Sequence, residues 1–393
     1  MNEDIVIWGA GIWGDVAYNY YKKRGNIVCY VDNDQRKWGG MLNTIKICPP
    51  IMLQNRKVKV VLALKNEVQA VIKQLEEYNI ESYTLFQVKE ETYSGQDAFC
   101  KMEGIQEDTC IIAFGGGLGN QMFQYALLRN LEVHGKKVLA DLKSYSSIGV
   151  MDFRLTDVFQ NIKLERCTEE QKQELVKKNI QRVGKAHKFI IYSEPCEYGM
   201  TKKADLSLLD ITGGIIYGLH QNCIFSGQIR KTLLDDFSFI SKREKKLQIL
   251  QDHIMKSNAV SVHIRRGDYL TESNKWLYGD ICTKEYYEKA IKYLRKKIGE
   301  CTLYVFSNDI EWIKKNYCMK NAVYIEAGMF DGYQDWYDMY LMSICKHNII
   351  ANSTFSWWGA WLNRNDNKIV VAPQKWINIY KYEDIYPKEW VQI

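Results

Sequence analysis

The chain has 393 residues and a formal net charge of +6, with 46% hydrophobic and 25% charged residues. That is the composition of a globular protein of two or three α/β units, and the positive balance is too weak for a nucleic-acid binder. No apolar run approaches the ~18 residues of a membrane-spanning helix, and the acidic start Met1-Asn2-Glu3-Asp4 is not a secretory leader.

The first predicted element is the strand Ile5-Val6-Ile7-Trp8. Gly9-Ala10-Gly11-Ile12-Trp13-Gly14 follows, then a helical stretch to about Arg24. A second strand, Ile27 to Val31, ends in Asp32. This order is the βαβ nucleotide fingerprint: glycines for a tight turn, a helix start for phosphate, and an acid for a ribose. Gly9, Gly11, Gly14 and Asp32 are therefore candidates to hold a nucleotide. A further strand at Val60–Leu64 and a helix over Glu67–Tyr78 close the unit near Phe86. Residues 1–86 read as a small Rossmann-like accessory domain and 87–108 as a polar linker.

A second α/β region opens with the strand Cys110–Phe114 and the glycine-rich turn Gly115–Gln121. A helix over Met122–Val133 and a strand over Lys137–Asp141 follow. Glycines after a strand let a ligand approach the backbone closely, and Asn120 and Gln121 add amides at the mouth. The lysine-rich stretch Thr168–Ala204 reads as a surface helix. A strand at Ile215–Gly218 ends this half, 109–240.

The last part, 241–393, alternates strands (Ala259–Ile264, Thr302–Phe306, Ala322–Glu326, Asn348–Ala351, Lys368–Ala372) with helices (Thr283–Ile298, Asp335–Cys345, Phe355–Leu362). Such alternation predicts a parallel sheet covered by helices. Open sheets of this kind bind ligands at the carboxyl ends of their strands. Three motifs fall there. His263-Ile264-Arg265-Arg266-Gly267-Asp268 places two guanidinium forks at a strand end, and such forks match phosphate oxygens. A surface salt-bridge cluster is the competing account. Ser307-Asn308-Asp309 ends a second strand. Asn352-Ser353-Thr354-Phe355 joins a third strand to a helix, with Ser353 and Thr354 as natural caps whose free N–H groups suit a diphosphate. Trp357, Trp358 and Trp361 are spaced to face the core. The 11 cysteines form no Cys-x-x-Cys pair and read as reduced thiols, which places the chain in the cytoplasm.

Taken in order, these motifs resemble glycosyltransferase family 11, the α-1,2-fucosyltransferases. The resemblance runs from about residue 110 to the C-terminus. It rests on Gly116–Ala126, His263–Asp268, Ser307–Trp312 and Ala351–Leu362. One run departs from the family pattern, at Asn222-Cys223-Ile224-Phe225. The resemblance implies a GT-B-like pair of Rossmann-like halves, 109–240 on the acceptor side and 241–393 binding GDP-β-L-fucose. It implies inverting transfer of L-fucose to the 2-hydroxyl of a terminal galactoside in bacterial surface glycan synthesis, with no metal. Negative charge grows on the departing diphosphate, so fixed cations must meet it. The catalytic half carries no Asp-x-Asp, and Asp32-Asn33-Asp34 lies in the accessory unit.

Arg265, helped by Arg266 and the N–H groups at Ser353, Thr354 and Phe355, is the expected diphosphate grip. His263 is expected on guanine or ribose, and Ser307, Asp309 and Asn352 line the donor site. Asn120 is expected to reach the donor or acceptor from the facing half. Asp268 is the first candidate base for the acceptor hydroxyl and Glu272 the second. The expected partners are a nucleotide-sugar donor and a glycan acceptor, without nucleic acid. A lysine-rich surface leaves peripheral contact with the inner face of the cytoplasmic membrane open. Two other functions compete. A nucleotide-sugar dehydrogenase or epimerase would use the N-terminal fingerprint, and Tyr18, Tyr20 and Tyr21 are read as lacking the lysine such enzymes pair with tyrosine. A non-catalytic glycan-binding protein would use the tryptophans but leaves the arginine pair unexplained.

Overall fold

The computed structural model describes residues 4–22, 24–64, 68–80, 82–86, 109–142, 152–180, 189–193, 203–211, 213–241, 244–379 and 381–393. The 87–108 linker lies outside them, as does much of the lysine-rich stretch.

Three sheets follow one another along the chain. The first holds β1 (Asp4–Trp8), β2 (Asn26–Val31), β3 (Met41–Leu42), β4 (Ile45–Cys48), β5 (Lys59–Leu62) and β6 (Tyr83–Leu85), in the order β3-β4-β2-β1-β5-β6. Its pairs are parallel except β3 with β4. That hairpin turns on Asn43 and Thr44, at φ 51° and 63°. A two-residue turn with both φ positive usually carries glycine, so the Asn-Thr pair gave the sequence reading no hairpin signal.

The second sheet holds β7 (Thr109–Ala113), β8 (Lys137–Asp141), β9 (Glu165–Arg166), β10 (Phe189–Ser193) and β11 (Gly213–Tyr217), all parallel, in the order β10-β11-β7-β8-β9. The third holds β12 (Ala259–Ile264), β13 (Thr302–Ser307), β14 (Ala322–Tyr324), β15 (His347–Ile349), β16 (Val370–Ala372) and β17 (Val391–Gln392), in the order β14-β13-β12-β15-β16-β17. β12 is buried along its whole length, as a strand covered on both faces must be. Strand order reverses between β12 and β15, and a crevice opens at such a reversal.

The second and third sheets share one hydrophobic core. Phe123, on the Leu118–Val133 helix, lies 4.6 Å from the ring of Trp357 and 4.9 Å from that of Trp358. The Trp358 indole N–H donates to Gly119 O at 2.9 Å. The three tryptophans are core residues, as their spacing indicated.

The stretch 168–204 corrects the expectation of one surface helix. It contains the helix Glu169–Ile180 and then the strand β10. Phe189-Ile190-Ile191-Tyr192 is a β-branched and aromatic run that suits a sheet edge better than a helix. Lys172 is buried, with Nζ 2.8 Å from Asp141 and 3.7 Å from Asp15 of the first unit. Its charge is matched there, which is the condition for burying an ammonium. The nine described cysteines are all free.

Candidate functional site

The pairing of β12 with β13 sets Ile264 beside Ser307, so two of the three strand-end motifs become neighbours. β12 also pairs with β15, whose continuation carries the third.

The two arginines do different work. Arg266 is held in place: its guanidinium lies 3.3 Å from the Trp312 ring centroid, and Nε donates to Asp309 Oδ2 at 3.1 Å. Its backbone N–H donates to Asn308 Oδ1. Gly267, at φ +55°, takes a left-handed turn, and a Cβ there would sit 2.5 Å from Asn308 Nδ2. Arg265 instead forms a bidentate pair with Asp268, Nε to Oδ1 and Nη2 to Oδ2, both 2.9 Å. That pairing fixes the fork and does not use Nη1. Both carboxylate oxygens of Asp268, the first candidate base, are committed to the guanidinium. Glu272 is exposed in the first turn of the Glu272–Tyr278 helix. Ser307 Oγ accepts from the Asp309 N–H at 3.1 Å, a local turn bond.

His263 is 4% exposed and its Nδ1 is enclosed without a hydrogen-bond partner. Burial, then the neighbouring Arg265 cation, pushes the imidazole down to about 3. It is neutral at any working pH and can offer one donor and one acceptor. The shift has a stability consequence. The unfolded chain takes up this proton below its usual value near 6.5, while the folded chain refuses it until about 3. His263 therefore favours folding fully above pH 6.5, and that advantage is lost as pH falls from about 6.5 towards 3. Thermal unfolding followed across this window should show a flatter acid decline for His263→Gln than for the parent chain.

The strand-to-helix junction after β15 is the third of the strand-end motifs. Ser353 occupies the N-cap of the Thr354–Trp361 helix, but neither it nor another side chain makes a cap bond. The expected hydroxyl cap is thus absent, and no side chain caps the first-turn N–H groups. Asn352 is structural through its side chain: Nδ2 donates to Tyr278 O at 3.2 Å and Trp376 O at 3.1 Å. Tyr269 locks the junction to the arginine loop by donating to Asn352 O at 2.9 Å. The Phe355 ring lies 6.0 Å from the His263 ring.

The glycine loop meets this junction from the other half. A Cβ on Gly119 would lie 2.6 Å from Thr354 Oγ1 and 2.7 Å from its carbonyl carbon. Gly116, at φ +77°, lets Asn120 fold over it, with a would-be Cβ 2.5 Å from Asn120 Nδ2. Asn120 Oδ1 accepts from Gln221 Nε2 at 2.9 Å, and Gln221 Oε1 accepts from the Trp376 indole at 2.8 Å. This chain ties Asn120 to both halves. Gln121 is not a donor at the mouth. Its amide donates to Gly116 O and Asp152 O, and its oxygen accepts from the Arg154 N–H, so it braces the loop from behind. Asn222, in the divergent run, caps the Cys223–Gln228 helix by accepting from the Ile224 and Phe225 N–H groups.

In the first unit, Gly9 and Gly14 are required by close packing: a Cβ on Gly14 would lie 1.9 Å from Gly9 O. Asp32, read as a ribose acid, accepts from the Ala10 N–H at 2.8 Å and the Asp34 N–H at 2.9 Å, and pairs with Lys37 at 2.8 Å. Gly11 is open to solvent space. One statement about tyrosine needs correction: Lys22 does stand four residues after Tyr18, and its Nζ lies 5.5 Å from that ring. Tyr18 packs on the core of this unit, which accounts for the contact.

Among the described residues no group of three or more His, Cys, Asp or Glu is gathered as a metal site, and no helix is long and apolar enough to cross a membrane. The sequence reading missed Tyr269, Trp312 and the Gln221–Trp376 link. Trp312 lies inside a recognised motif, but Gln221 and Trp376 are 155 residues apart and only the fold joins them.

Residues 58–393 match the model of Glycosyl transferase family 11. An alpha-1,2-colitosyltransferase of Escherichia coli is 33% identical over 72% of this chain and 98% of its own length. The O-antigen biosynthesis glycosyltransferase WbnK of the same organism is 31% identical over 71% of this chain and 98% of its own length. A solved structure of POFUT1 in complex with GDP-fucose aligns with 68% of this chain and 97% of its own, at 13% identity and a TM-score of 0.34.

Proposed function

The chain belongs to glycosyltransferase family 11, and from that premise we propose that it transfers L-fucose from GDP-β-L-fucose to the 2-hydroxyl of a terminal galactoside, with inversion and without a metal. The observation that carries this reading is the junction of three parts. These are a guanidinium fork braced by Asp268, an uncapped helix start at Ser353, and a glycine loop packed against Thr354.

Each part has a task in the reaction. As the glycosidic C–O bond lengthens, charge builds on the β-phosphate. Arg265 and the N–H groups of Thr354 and Phe355 are fixed dipoles and charge aimed at that oxygen, so little reorganisation is needed in the transition state. Neutral His263 presents its ring edge to guanine or ribose, with Phe355 beside it. Asn120, held by Gln221, reaches the sugar from the acceptor-side half in a GT-B-like cleft. Ser307 and Asp309 shape the donor wall through Arg266 and do not contact the phosphates themselves.

A colitosyl donor is the second reading, favoured by the 33% identity to a colitosyltransferase. Colitose is L-fucose without its 3-hydroxyl, so the leaving group is the same and the distinction lies in contacts to one sugar carbon. Release of GDP from GDP-fucose and from GDP-colitose, each with a β-galactoside and EDTA, separates them. Faster release from GDP-fucose, undiminished by EDTA, is expected. Faster release from GDP-colitose would reassign the donor, and abolition by EDTA would end the metal-free mechanism.

A further inference from the structure

A cavity that shares no residue with the proposed donor site lies between the Lys284–Ile298 helix, β13 and the turn leading into β14. Its volume is about 380 Å³, within the range of small-molecule sites. The geometry points to a second ligand site here, for a phosphorylated small molecule with an apolar body. This site is additional to the donor site and does not rest on the transferase reading.

The charge of the walls selects an anion. Lys284, Lys292, Arg295 and Lys320 line the cavity, against one acid, Glu288. Lys284, Glu288, Lys292 and Arg295 follow one another at three- or four-residue spacing, so they form one stripe along the helix. Among the described residues Lys284, Lys292 and Arg295 form no ion pair, whereas Lys289 of the same helix pairs with Glu285 at 2.7 Å. Lys320 approaches Glu300 at 4.0 Å. Arg295 is anchored by Nη2, which donates to Lys320 O at 2.7 Å, and its Nε is enclosed without a hydrogen-bond partner. Cations gathered around a cavity focus a positive potential into it. Guanidinium and ammonium groups meet phosphate oxygens with charge-assisted bonds.

The floor selects the rest of the ligand. It is made by Tyr287, Ile291, Leu303 and Tyr317. A bare ion gains nothing from such a floor, while an organic phosphate also buries apolar surface on it. The same floor supports the arginine loop from behind. The Tyr287 hydroxyl donates to His263 O at 3.0 Å. The Tyr317 ring lies 5.9 Å from that of Trp312, which carries Arg266. A ligand in the cavity therefore rests on two side chains that hold the donor loop in place.

A soluble organic phosphate and the headgroup of an anionic lipid share this chemistry, and the test separates them. The full chain is titrated calorimetrically with phenyl phosphate and with inorganic phosphate, with GDP present at saturation to fill the donor site. Phenyl phosphate should bind at one site, about 5-fold or more tighter than inorganic phosphate. Lys292→Glu should weaken it about 10-fold or more, and Glu288→Gln should tighten it. Both positions are exposed, so melting temperatures should hold, and the Kd for GDP should stay within about 2-fold. Co-sedimentation with phosphatidylglycerol–phosphatidylcholine vesicles identifies the source. Vesicle binding that phenyl phosphate displaces and Lys292→Glu abolishes assigns the lipid headgroup, and phenyl phosphate binding without vesicle binding assigns a soluble ligand. No saturable binding of phenyl phosphate, equal affinity for inorganic phosphate, or binding that neither variant shifts would overturn the inference.

Discussion

Arg265→Lys should lower kcat by about 10²–10³-fold, a loss of about 3–4 kcal/mol of transition-state stabilisation. The variant keeps the positive charge, so the expected loss comes from geometry. Arg265 is aimed by two parallel bonds to Asp268, each 2.9 Å. An ammonium cannot make that bidentate pair and also offer a second planar edge to a phosphate. It would swing between the carboxylate and the ligand, and the charge would no longer be fixed where the β-phosphate oxygen develops its own. Ground-state donor binding should suffer less, because the helix start at Ser353 still contributes. The comparison with Arg266→Lys is informative. Arg266 lies flat on Trp312 and pairs with Asp309, so its replacement should reduce thermal stability more than kcat. Steady-state kinetics and melting curves on both variants check the pair. Equal kcat losses would mean that the division of labour between the two arginines is wrong.

Gly119→Ala should be damaging out of proportion to one methyl group. The added Cβ would fall 2.6 Å from Thr354 Oγ1, 2.7 Å from the Thr354 carbonyl carbon and 2.8 Å from its Cβ. A backbone atom is among the obstacles, so no rotamer change relieves the clash. The two halves must move apart there, which strains the Trp358 bond to Gly119 O and the Phe123 packing beneath. Overpacking of this kind costs about 1–3 kcal/mol. It also displaces the first turn of the helix proposed to meet the diphosphate, so the Kd for GDP should rise several-fold. Thermal unfolding and GDP titration measure the two effects together. Gly11→Ala is the control, since a Cβ there meets nothing within 4 Å. An unchanged melting temperature and Kd in Gly119→Ala would mean the halves are not held together at this point.

What the sequence carried, and what it did not, follows from the range of each interaction. Strand and helix patterning is local, so the alternation from Ala259 to Ala372 and the burial of Trp357 and Trp358 were legible from spacing. The strand-end motifs were legible because each pairs chemistry with a turn. The committed partners were not. That Gln121 braces the loop through Asp152, that Asn352 serves two distant carbonyls, and that Ser353 sits at a cap position without capping are long-range or rotamer-level facts. Lys172 read as surface because lysine usually is; two aspartates far apart in the chain make its burial tolerable.

The central claim is that Arg265 and the Thr354–Trp361 helix start hold a departing diphosphate together. A crystal of the chain grown with GDP tests it directly. The β-phosphate should lie within hydrogen-bond distance of the Arg265 Nη1 edge and of the Thr354 or Phe355 N–H groups. A diphosphate lodged on the Gly9–Gly14 turn of the first unit, or anywhere out of reach of Arg265, would contradict the account.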